Sequence, residues 1–474
     1  MLKFPRGYFE EEEREGFLIE AEMKHVWAAQ LEVIKMCEKL CKKNDIRYYA
    51  IYGTLLGAIR HQGFIPWDDD MDIAMVREDY EKFIQLSAEQ FPEHFWILSP
   101  FTEPEWDELL ARIVNGKNIN VSGERLLGFH GCPYAIGLDV FPIDHIPDNK
   151  QTKEWKDSII TLISTIIPYS WTNADDREIY ECNEDIKATV DEGLSILEET
   201  FDFEFYRDGN LRNQLNCLFD MVCSTYGDAS DQYMVKYPGY ILYNSNYYFH
   251  KSWFETTIPI KFEHTSIMAP IGYDAISYAS YGYDYMIPKR SGADHDYPFY
   301  KGQRKILKEK GMYEFVEKMR EVSKAASCSD KIEIDKKLDK LDIPPEWDEL
   351  IYIDGKKRKV RIYGLNSSAL LAHKSKVFYK LEKEVEKYIS VKSDEILILV
   401  EDLVFEKTLC DVLSEYINRF EKVKKMILDN NGIVCQNTNY KFYEICDEYV
   451  GDCTSAVFRF LENDIPMRFE KYDK

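Results

Sequence analysis

The residues with the clearest chemical potential lie between Tyr49 and Val76, in YAIYGTLLGAIRHQGFIPWDDDMDIAMV. Asp70 and Asp72 stand two positions apart, just before the apolar residues IAMV, and this pattern predicts a strand over 70–76. Alternate residues of a strand share one face, so the two carboxylates are expected to lie side by side. Adjacent carboxylates repel each other, and a hard cation such as Mg²⁺ relieves that repulsion. The pair therefore predicts a divalent-metal site.

Two further features complete a set suited to phosphate chemistry. Gly53-Thr54 breaks an aromatic strand predicted over 47–52, and such a turn offers backbone N–H groups and a hydroxyl to a phosphate. Asp139 lies in a strand predicted over 137–144, GLDVFPID, and would supply a third carboxylate. In phosphoryl or nucleotidyl transfer a metal neutralises phosphate oxygens while a carboxylate orients or deprotonates the attacking hydroxyl.

The acidic run DDDMD (68–72) has a competing interpretation as a solvated loop of an acidic protein. Its position argues against that interpretation, because it lies between Trp67 and an apolar segment that is expected to be buried. Four carboxylates in such a place are costly unless a cation compensates them. The sequence therefore favours a functional site here.

The composition of the chain excludes several classes of function. Its 474 residues suffice for two to four domains, and 45% hydrophobic with 30% charged residues is ordinary globular content. The net charge of −24 disfavours nucleic acid as a partner. No secretory leader is visible, the apolar run 159–167 is too short to span a bilayer, and eleven cysteines without CxxC spacing are expected to be reduced. We expect a cytoplasmic protein, with peripheral association at the inner face of the membrane as the alternative.

Periodicity and turn residues predict the elements that position these groups. An amphipathic helix over 17–45 precedes the first strand, and residues 150–235 are expected to be mostly helical. Residues 237–300, rich in Tyr, Pro and Gly, are expected to be irregular. The polar stretch 327–349 is predicted to be a linker. Beyond it, a separate α/β domain over 350–474 is indicated by short strands predicted at 395–400, 424–428, 432–434 and 465–472.

The segment GTLLGAIRHQGFIPWDDDMDI strongly resembles the signature of the LicD family, the phosphocholine transferases and their fukutin-like relatives. CEKLCKKNDIRYYAIYGTLLG resembles the leading helix and strand of that family, while GLDVFPID and YGYDYMIPKR resemble its second and third blocks. The resemblance covers roughly residues 20–310. It implies an α+β nucleotidyltransferase-like core over about 20–145 with helical elaborations over 146–326, which together form a catalytic domain over 1–326. Tyr52 departs from the pattern, because Gly is common at that position.

The resemblance also implies an activity: transfer of phosphocholine, or a related phospho-alcohol, from CDP-choline or another CDP-alcohol to a sugar hydroxyl, releasing CMP. The acceptor would be a cell-surface glycan such as lipopolysaccharide or teichoic acid, or a lipid-linked oligosaccharide precursor. Asp70, Asp72 and Asp139 would be the catalytic residues and would bind Mg²⁺, with Mn²⁺ as an alternative ion. The residues expected to bind substrate are Gly53, Thr54, Arg60, Trp67, Asp68, Lys289 and Arg290. No oligomeric state is predicted.

An aromatic cage is a further expectation for a choline donor. A quaternary ammonium is recognised by aromatic faces and by carboxylates. Trp67 adjoins the acidic run, and seven tyrosines fall between Tyr273 and Tyr300. The alternative is that these rings fill a loop-rich core.

The last segment of the chain, CDEYVGDCTSAVFRFLENDIPMRF, weakly resembles the glycosyltransferase-B-like half of CDP-glycerol glycerophosphotransferases. Gly451, Asp452, Thr454 and Ser455 precede an apolar run and predict a helix N-terminus that could hold a phosphate. The place where such domains carry basic residues is taken here by Glu401 and Asp402, which would repel a phosphate. We therefore expect a binding or assembly module, and a chain that ends near Ala326 is expected to keep the transfer activity.

Two other functions remain open from the sequence. One is a nucleotidyltransferase that uses a nucleoside triphosphate and releases pyrophosphate. The other is a non-catalytic protein that binds glycan or nucleotide, against which the presence of all three aspartates argues.

Overall fold

The computed structural model describes residues 1–173, 177–181, 183–243, 248–290, 297–332, 335–391 and 394–472. Its strands, in chain order, are β1 Glu12–Arg14, β2 Phe17–Ile19, β3 Tyr49–Ala50, β4 Asp72–Val76, β5 Trp96–Leu98, β6 Ala111–Val114, β7 Gly137–Ile146, β8 Tyr233–Val235, β9 Phe249–His250, β10 Thr257–Phe262, β11 Thr265–Pro270, β12 Tyr352–Ile353, β13 Lys356–Lys357, β14 Lys359–Leu365, β15 Glu395–Glu401, β16 Ile433–Cys435, β17 Glu448–Gly451 and β18 Met467–Phe469. Its α-helices are α1 Ala21–Asn44, α2 Tyr52–His61, α3 Arg77–Gln90, α4 Gly123–Gly128, α5 Lys150–Ile166, α6 Glu178–Glu181, α7 Glu184–Phe201, α8 Leu211–Ser224, α9 Tyr237–Tyr243, α10 Tyr273–Tyr281, α11 Lys301–Glu309, α12 Tyr313–Ser327, α13 Asp348–Ile351, α14 Ser367–His373, α15 Ser375–Val391, α16 Phe405–Val412 and α17 Ile417–Leu428.

The chain forms two compact units that interleave along the sequence. The first unit consists of Met1–Tyr48, Asp69–Lys251 and His295–Asp330. The second consists of Tyr49–Asp68, Ser252–Asp294 and Lys331–Lys474. The mixture of sheets and helices confirms an α and β protein at the level of fold class.

A mixed sheet forms the centre of the first unit. β4 pairs in parallel with β7, and β6 pairs antiparallel with both β7 and β5. At its far end β7 also pairs with β8, which in turn pairs with β9. β7 is buried along nearly its whole length and runs through Pro142 to Ile146, beyond the end predicted from the sequence. It is therefore the strand that organises this sheet.

Helices of the first unit pack around an aliphatic core. Isoleucines of α5 are buried with leucines and valines from α7 and α8, including Ile160, Ile163, Leu194 and Leu215. The apolar run 159–167 therefore belongs mostly to a buried helix, as predicted. In the part of the chain that the structure describes, no helix has the length and apolar character needed to cross a membrane.

A buried ion-pair network anchors the sheet of the first unit to α8. The guanidinium of Arg77 donates to Asp144 Oδ1 at 2.6 Å and Oδ2 at 3.1 Å, and to the carboxylate of Asp220 at 3.0 and 3.1 Å. Arg77 and Asp144 are both almost inaccessible to solvent. Removing one partner would leave a buried charge uncompensated, which makes the network a structural feature of β7.

A parallel sheet forms the centre of the second unit. Its strands lie in the order β16-β15-β14-β17-β18, and every pairing is parallel. In chain order this is 3-2-1-4-5, so the direction of strand addition reverses at β14, as in doubly wound α/β folds. The sequence predicts β15, β16 and part of β18 correctly, but the strand predicted at 424–428 is wrong, because those residues end helix α17.

Other elements differ from the sequence-based expectations. Residues 237–300 are not simply irregular, because they contain the β10–β11 hairpin and helix α10. The strand predicted over 70–76 begins at Asp72, and Gly53-Thr54 lies in the first turn of α2. Tyr52 has a φ of 48°, in the left-handed region where Gly is favoured. That backbone conformation accounts for the glycine expected at this position.

The compact units also differ from the contiguous division at 327–349. Residues 49–68 and 252–294 pack with the C-terminal sheet and its helices within the second unit. The fully buried Trp253 donates its indole N–H to Thr408 Oγ1 at 3.0 Å, and Tyr273 OH lies 3.0 Å from Thr438 Oγ1. Segments from before and after the predicted linker thus share the core of this unit.

A chain truncated after Ala326 is therefore expected to leave residues 252–294 without their native packing. Hydrogen–deuterium exchange should show strong protection of this segment in the full chain and rapid exchange in the truncated chain. Peptides from α5 in the first unit are the internal control and should stay protected in both. Equal protection of residues 252–294 in the two proteins would support the contiguous division instead.

Candidate functional site

Three charged residues lie in a row across neighbouring strands of the first unit. Asp72, the first residue of β4, is the register partner of Asp139 on β7. Asp139 is in turn the register partner of Arg112 on β6. Register partners on adjacent strands point to the same face of a sheet. The structure therefore brings Asp72 and Asp139 together as predicted, and it places an arginine beside them.

The guanidinium of Arg112 donates two hydrogen bonds to the carboxylate of Asp139. Its Nε and Nη2 donate to the two carboxylate oxygens, the second at 2.8 Å. Its guanidinium also lies 5.0 Å from the ring centre of Trp106. Burial works to lower the pKa of Arg112, but the bond to Asp139 and the charges of Glu108 and Asp70 outweigh burial and raise it. Arg112 is therefore a fixed positive charge in this site.

A glycine makes room for this arginine. Gly137 is the first residue of β7, and a Cβ built on it would lie 2.6 Å from Cδ of Arg112. Any side chain at position 137 would displace the side chain of Arg112 from its position on the sheet. The glycine of GLDVFPID therefore has a direct packing role next to Asp139.

Lys236 adds a second positive charge to the same face. It follows β8, and its Nζ lies 3.7 Å from the ring centre of Phe141. Burial lowers the pKa of Lys236 to about 8, against the opposing charges of Asp72, Asp139 and Glu108. An ammonium in this state is poorly hydrated, which strengthens its attraction for an incoming phosphate.

The charged groups named so far in this cluster include more carboxylates than cations. Asp70, Asp72, Glu108 and Asp139 contribute four negative charges, and Arg112 with Lys236 contributes two positive ones. Oxygen donors of this kind suit Mg²⁺, so Asp70 and Asp72 fit such an ion by their chemistry. Asp139 is already bound to Arg112. Within the described ranges, no group of three or more Asp, Glu, His or Cys side chains is arranged to hold a metal ion.

The neighbouring aspartates Asp68 and Asp69 have different surroundings. Asp69 is fully buried and accepts the Phe299 amide at 2.6 Å, while its carbonyl accepts from Gln30 at 2.8 Å, so it supports the structure. Asp68 lies in the second unit with its carboxylate against Gly53, where a Cβ would be 2.4 Å from Oδ2. Gly53 is in the first turn of α2, and a helix N-terminus attracts anions. This end of α2 thus has a carboxylate of the chain itself beside it.

The basic residues predicted to contact phosphate each have a local partner. Arg60 donates to the carbonyl oxygens of Tyr285 at 3.0 Å and Ile287 at 3.4 Å. Lys289 lies 2.7 Å from Asp284, on the surface. Arg290 places its guanidinium 5.5 Å from the ring centre of Trp67, so this ring already carries a cation on its face.

The part of the chain that resembles known proteins is the segment that carries the aspartates of this site. Residues 45–161 match a family model described as LicD/FKTN/FKRP, nucleotidyltransferase domain. The chain carries a LicD-family domain. The matched range includes Asp70, Asp72, Arg112 and Asp139, whereas Lys236 lies outside it.

Three curated relatives share short segments with this chain. The lipopolysaccharide cholinephosphotransferase LicD of Haemophilus influenzae is 43% identical over 65 residues, which are 14% of this chain and 24% of that protein. Uncharacterized proteins of Rickettsia typhi and Rickettsia prowazekii are 38% and 47% identical over 96 and 62 residues, or 20% and 13% of this chain. The matched segments cover 26% and 23% of the length of these two Rickettsia proteins. The chain thus spans about a quarter of the length of the curated relatives that it matches.

Three of the seven tyrosines that were expected to form a cage are buried in the core. Tyr273 and Tyr285 are buried in the second unit, where the hydroxyl of Tyr285 donates to Asp274 at 2.5 Å. Tyr300 is buried in the first unit and stacks on Tyr134, with ring centres 4.8 Å apart. Residues 291–296 of this region lie outside the described residues. These rings favour the alternative in which aromatic residues fill the core.

The predicted phosphate site at the end of β17 holds a carboxylate of the chain instead. Ser455 begins a 3₁₀ turn of three residues, not a longer helix. Its amide donates to Asp274 Oδ1 at 2.7 Å, and its hydroxyl donates to Oδ2 at 3.0 Å. Thr438 donates to the same Oδ2 at 3.0 Å. Asp274 thus takes the hydrogen bonds that a phosphate was expected to take.

Glu401 and Asp402, at the end of β15, are buried as well. Asp402 accepts from the amide and hydroxyl of Ser367 at 2.5 and 2.7 Å and therefore supports the start of α14. Burial raises the pKa of Asp402 to about 7 and that of Glu401 to about 8. Among the described residues, neither oxygen of Glu401 has a hydrogen-bond partner. The two acids are structural features of this sheet edge.

Sequence reasoning did not select Arg112 or Lys236. Arg112 lies in ARIV, where a charged residue interrupts an apolar strand, and that pattern is a usable indication of a buried ion pair. Lys236 lies about 100 residues after Asp139, and its position depends on how β8 pairs with β7. Only the fold could have placed it beside Asp72 and Asp139.

The buried Glu401 is expected to make stability depend on pH. Its pKa in the folded chain is about 8 and its ordinary value is 4.5, so the folded state binds more protons between these two pH values. The free energy of unfolding should therefore fall as pH rises from 5 to 8. Glu401→Gln should reduce this slope and gain ~1–3 kcal/mol relative to wild type between pH 5 and pH 8.

Urea unfolding at pH 5, 6, 7 and 8 measures this slope. Glu444→Gln, at an exposed position of the same unit, is the matched control and should follow the wild type. An equal slope in Glu401→Gln and wild type would contradict the assignment of a protonated buried glutamate.

Proposed function

We propose that the protein transfers phosphocholine, or a related phospho-alcohol, from a CDP-alcohol to a sugar hydroxyl of a cell-surface glycan or its lipid-linked precursor, in a Mg²⁺-dependent reaction that releases CMP. The proposal includes a nucleotidyltransferase-like arrangement of the core. The row formed by Asp72, Asp139 and Arg112 carries it, because it joins carboxylates and a fixed cation on one face of a sheet. The LicD match and the cholinephosphotransferase of Haemophilus influenzae support it.

The carboxylates have two tasks in this reaction. Asp70 and Asp72 would hold Mg²⁺, which supplies charge neutralisation at the diphosphate when bound. Asp139 orients the acceptor hydroxyl and accepts its proton as the hydroxyl oxygen bonds to the phosphorus of the head group. The bond from that phosphorus to the CMP oxygen breaks, and CMP leaves with the electron pair.

The cations of the site stabilise the charge that moves toward CMP. Arg112 keeps Asp139 in one orientation through its two hydrogen bonds and can share its guanidinium with a phosphate oxygen. Lys236, on the same face, adds a charge-assisted hydrogen bond to the diphosphate. These contacts lower the barrier mainly by positioning and electrostatics.

The reaction products test the proposal directly. The full chain, with CDP-choline, Mg²⁺ and a soluble glycan acceptor, should release CMP in step with the appearance of a phosphocholine ester in the acceptor. CDP-ethanolamine and CDP-glycerol should be compared as donors in the same assay. Release of pyrophosphate from CTP with no CMP from any CDP-alcohol would identify a nucleotidyltransferase and reject the proposal.

Asp70→Asn and Asp72→Asn should each reduce turnover by roughly a hundredfold or more, because each removes a charge that holds the cation. Unfolding temperatures should stay within about 3 °C of wild type, since each change removes one carboxylate from a cluster of like charges. Asp107→Asn, at a surface ion pair with Arg212, is the control and should keep full activity. Wild-type turnover by either variant would exclude these residues as metal ligands.

Arg112→Lys should reduce turnover by at least roughly tenfold, although it keeps the positive charge. A lysine cannot form the two-point contact with Asp139, so the carboxylate would lose its orientation. The comparison is Arg47→Lys, which alters a solvent-exposed pair with Asp79. Steady-state kinetics that show equal turnover for Arg112→Lys and wild type would count against a role for the paired geometry.

A further inference from the structure

A cavity of about 200 Å³ lies within the second unit, and its lining includes none of the three aspartates assigned to catalysis. Leu403 follows β15, Asn437 and Asn439 follow β16, and Ser455 follows β17. These wall residues come from the carboxyl ends of strands on both sides of β14, where the strand order reverses. Open parallel sheets bind ligands in the crevice at this place.

The charge of the cavity wall is opposite to that of the chain. Among the described residues that line it, three are lysines, Lys261, Lys337 and Lys340, and none is an aspartate or glutamate. The chain as a whole has a net charge of −24. Lys261 lies 3.5 Å from Asp339, which offsets part of this charge. The remaining excess of positive charge selects for an anion.

Lys340 is the cation most removed from water. Its Nζ donates to the carbonyl oxygens of Thr438 and Ser455, both at 3.3 Å. Burial lowers the pKa of Lys340 to about 8, and the negative charge of Asp274 opposes that effect. The Nζ of Lys340 also lies 5.4 Å from the ring centre of Phe458. Two long bonds to neutral carbonyls and an aromatic face satisfy an ammonium less well than a charge would, so an anion in the cavity would be a better partner.

The other residues of the wall suit the uncharged part of a small organic anion. Amide side chains of Gln62, Asn437 and Asn439 can both donate and accept hydrogen bonds. Ile59 and Ile258 add apolar surface to the wall. The volume is that of a small metabolite and is too small for a polymer. We propose that this cavity is a binding site for a small organic phosphate monoester, separate from the proposed catalytic site.

Calorimetric titration of the full chain with ribose 5-phosphate tests the proposal, with ribose and glucuronate as companion probes. Ribose 5-phosphate should bind, whereas ribose lacks the charge and should not. Asn439→Asp places a carboxylate in the cavity with almost no change of shape and should weaken binding by roughly tenfold or more. Lys340→Met should weaken it similarly. Lys422→Met, at an exposed position on α17, is the control and should bind as wild type does.

Each other outcome overturns the proposal. Absence of binding by ribose 5-phosphate at millimolar concentration would show that the cavity does not take this class of ligand. Equal binding by wild type and Asn439→Asp would place the ligand elsewhere, and this variant keeps the test valid if Lys340→Met does not fold. Glucuronate binding as tightly as ribose 5-phosphate would show an unselective anion site.

Discussion

The pairing of Arg112 with Asp139 is the interaction on which the candidate site depends. Carboxylates collected on one face of a sheet repel one another, and the register of β4, β7 and β6 collects Asp72 and Asp139 there. Arg112 compensates one of them in place, and Gly137 leaves the space for its side chain. Asp72 lies on the same face, next to the carboxylate that Arg112 compensates.

The second unit also contains a group of neighbouring carboxylates, and it stabilises them in a different way. Its carboxyl-end edge holds Asp274, Glu401, Asp402 and Asp452, all nearly inaccessible to solvent. Asp274 and Asp402 are satisfied by amide and hydroxyl donors, and burial raises the pKa of Asp452 to about 7. Hydrogen bonds to Asp274 and Asp402 and a raised pKa of Asp452 thus reduce the cost of burying these acids. The sequence alone could not distinguish an acidic edge of this kind from one that binds a cation.

Local pattern was enough to predict β15 and β16, because the alternation and run of apolar residues decide them. It failed where distant parts of the chain determine the structure. Residues 424–428 look like a strand but end α17, whose buried face packs on the sheet. Lys236 and Arg112 join the site only through the pairing of β8 and β6 with β7. The hydrogen bond from Trp253 to Thr408 joins residues 155 positions apart and likewise could not be foreseen from local pattern.

Helix α2 lies within the segment that matches the LicD family, and it belongs to the second unit. Helix α2 carries Gly53 and Thr54 in its first turn, and residues Ala58 and Ile59 of the same helix line the lysine-rich cavity. A ligand in that cavity would touch a rigid element whose other end carries residues proposed to bind the donor. Coupling between the two would require that the ligand favour one position of α2 over another. Sharing one helix is a spatial relation, and coupling would be established only by two positions of α2 whose equilibrium both ligands bias.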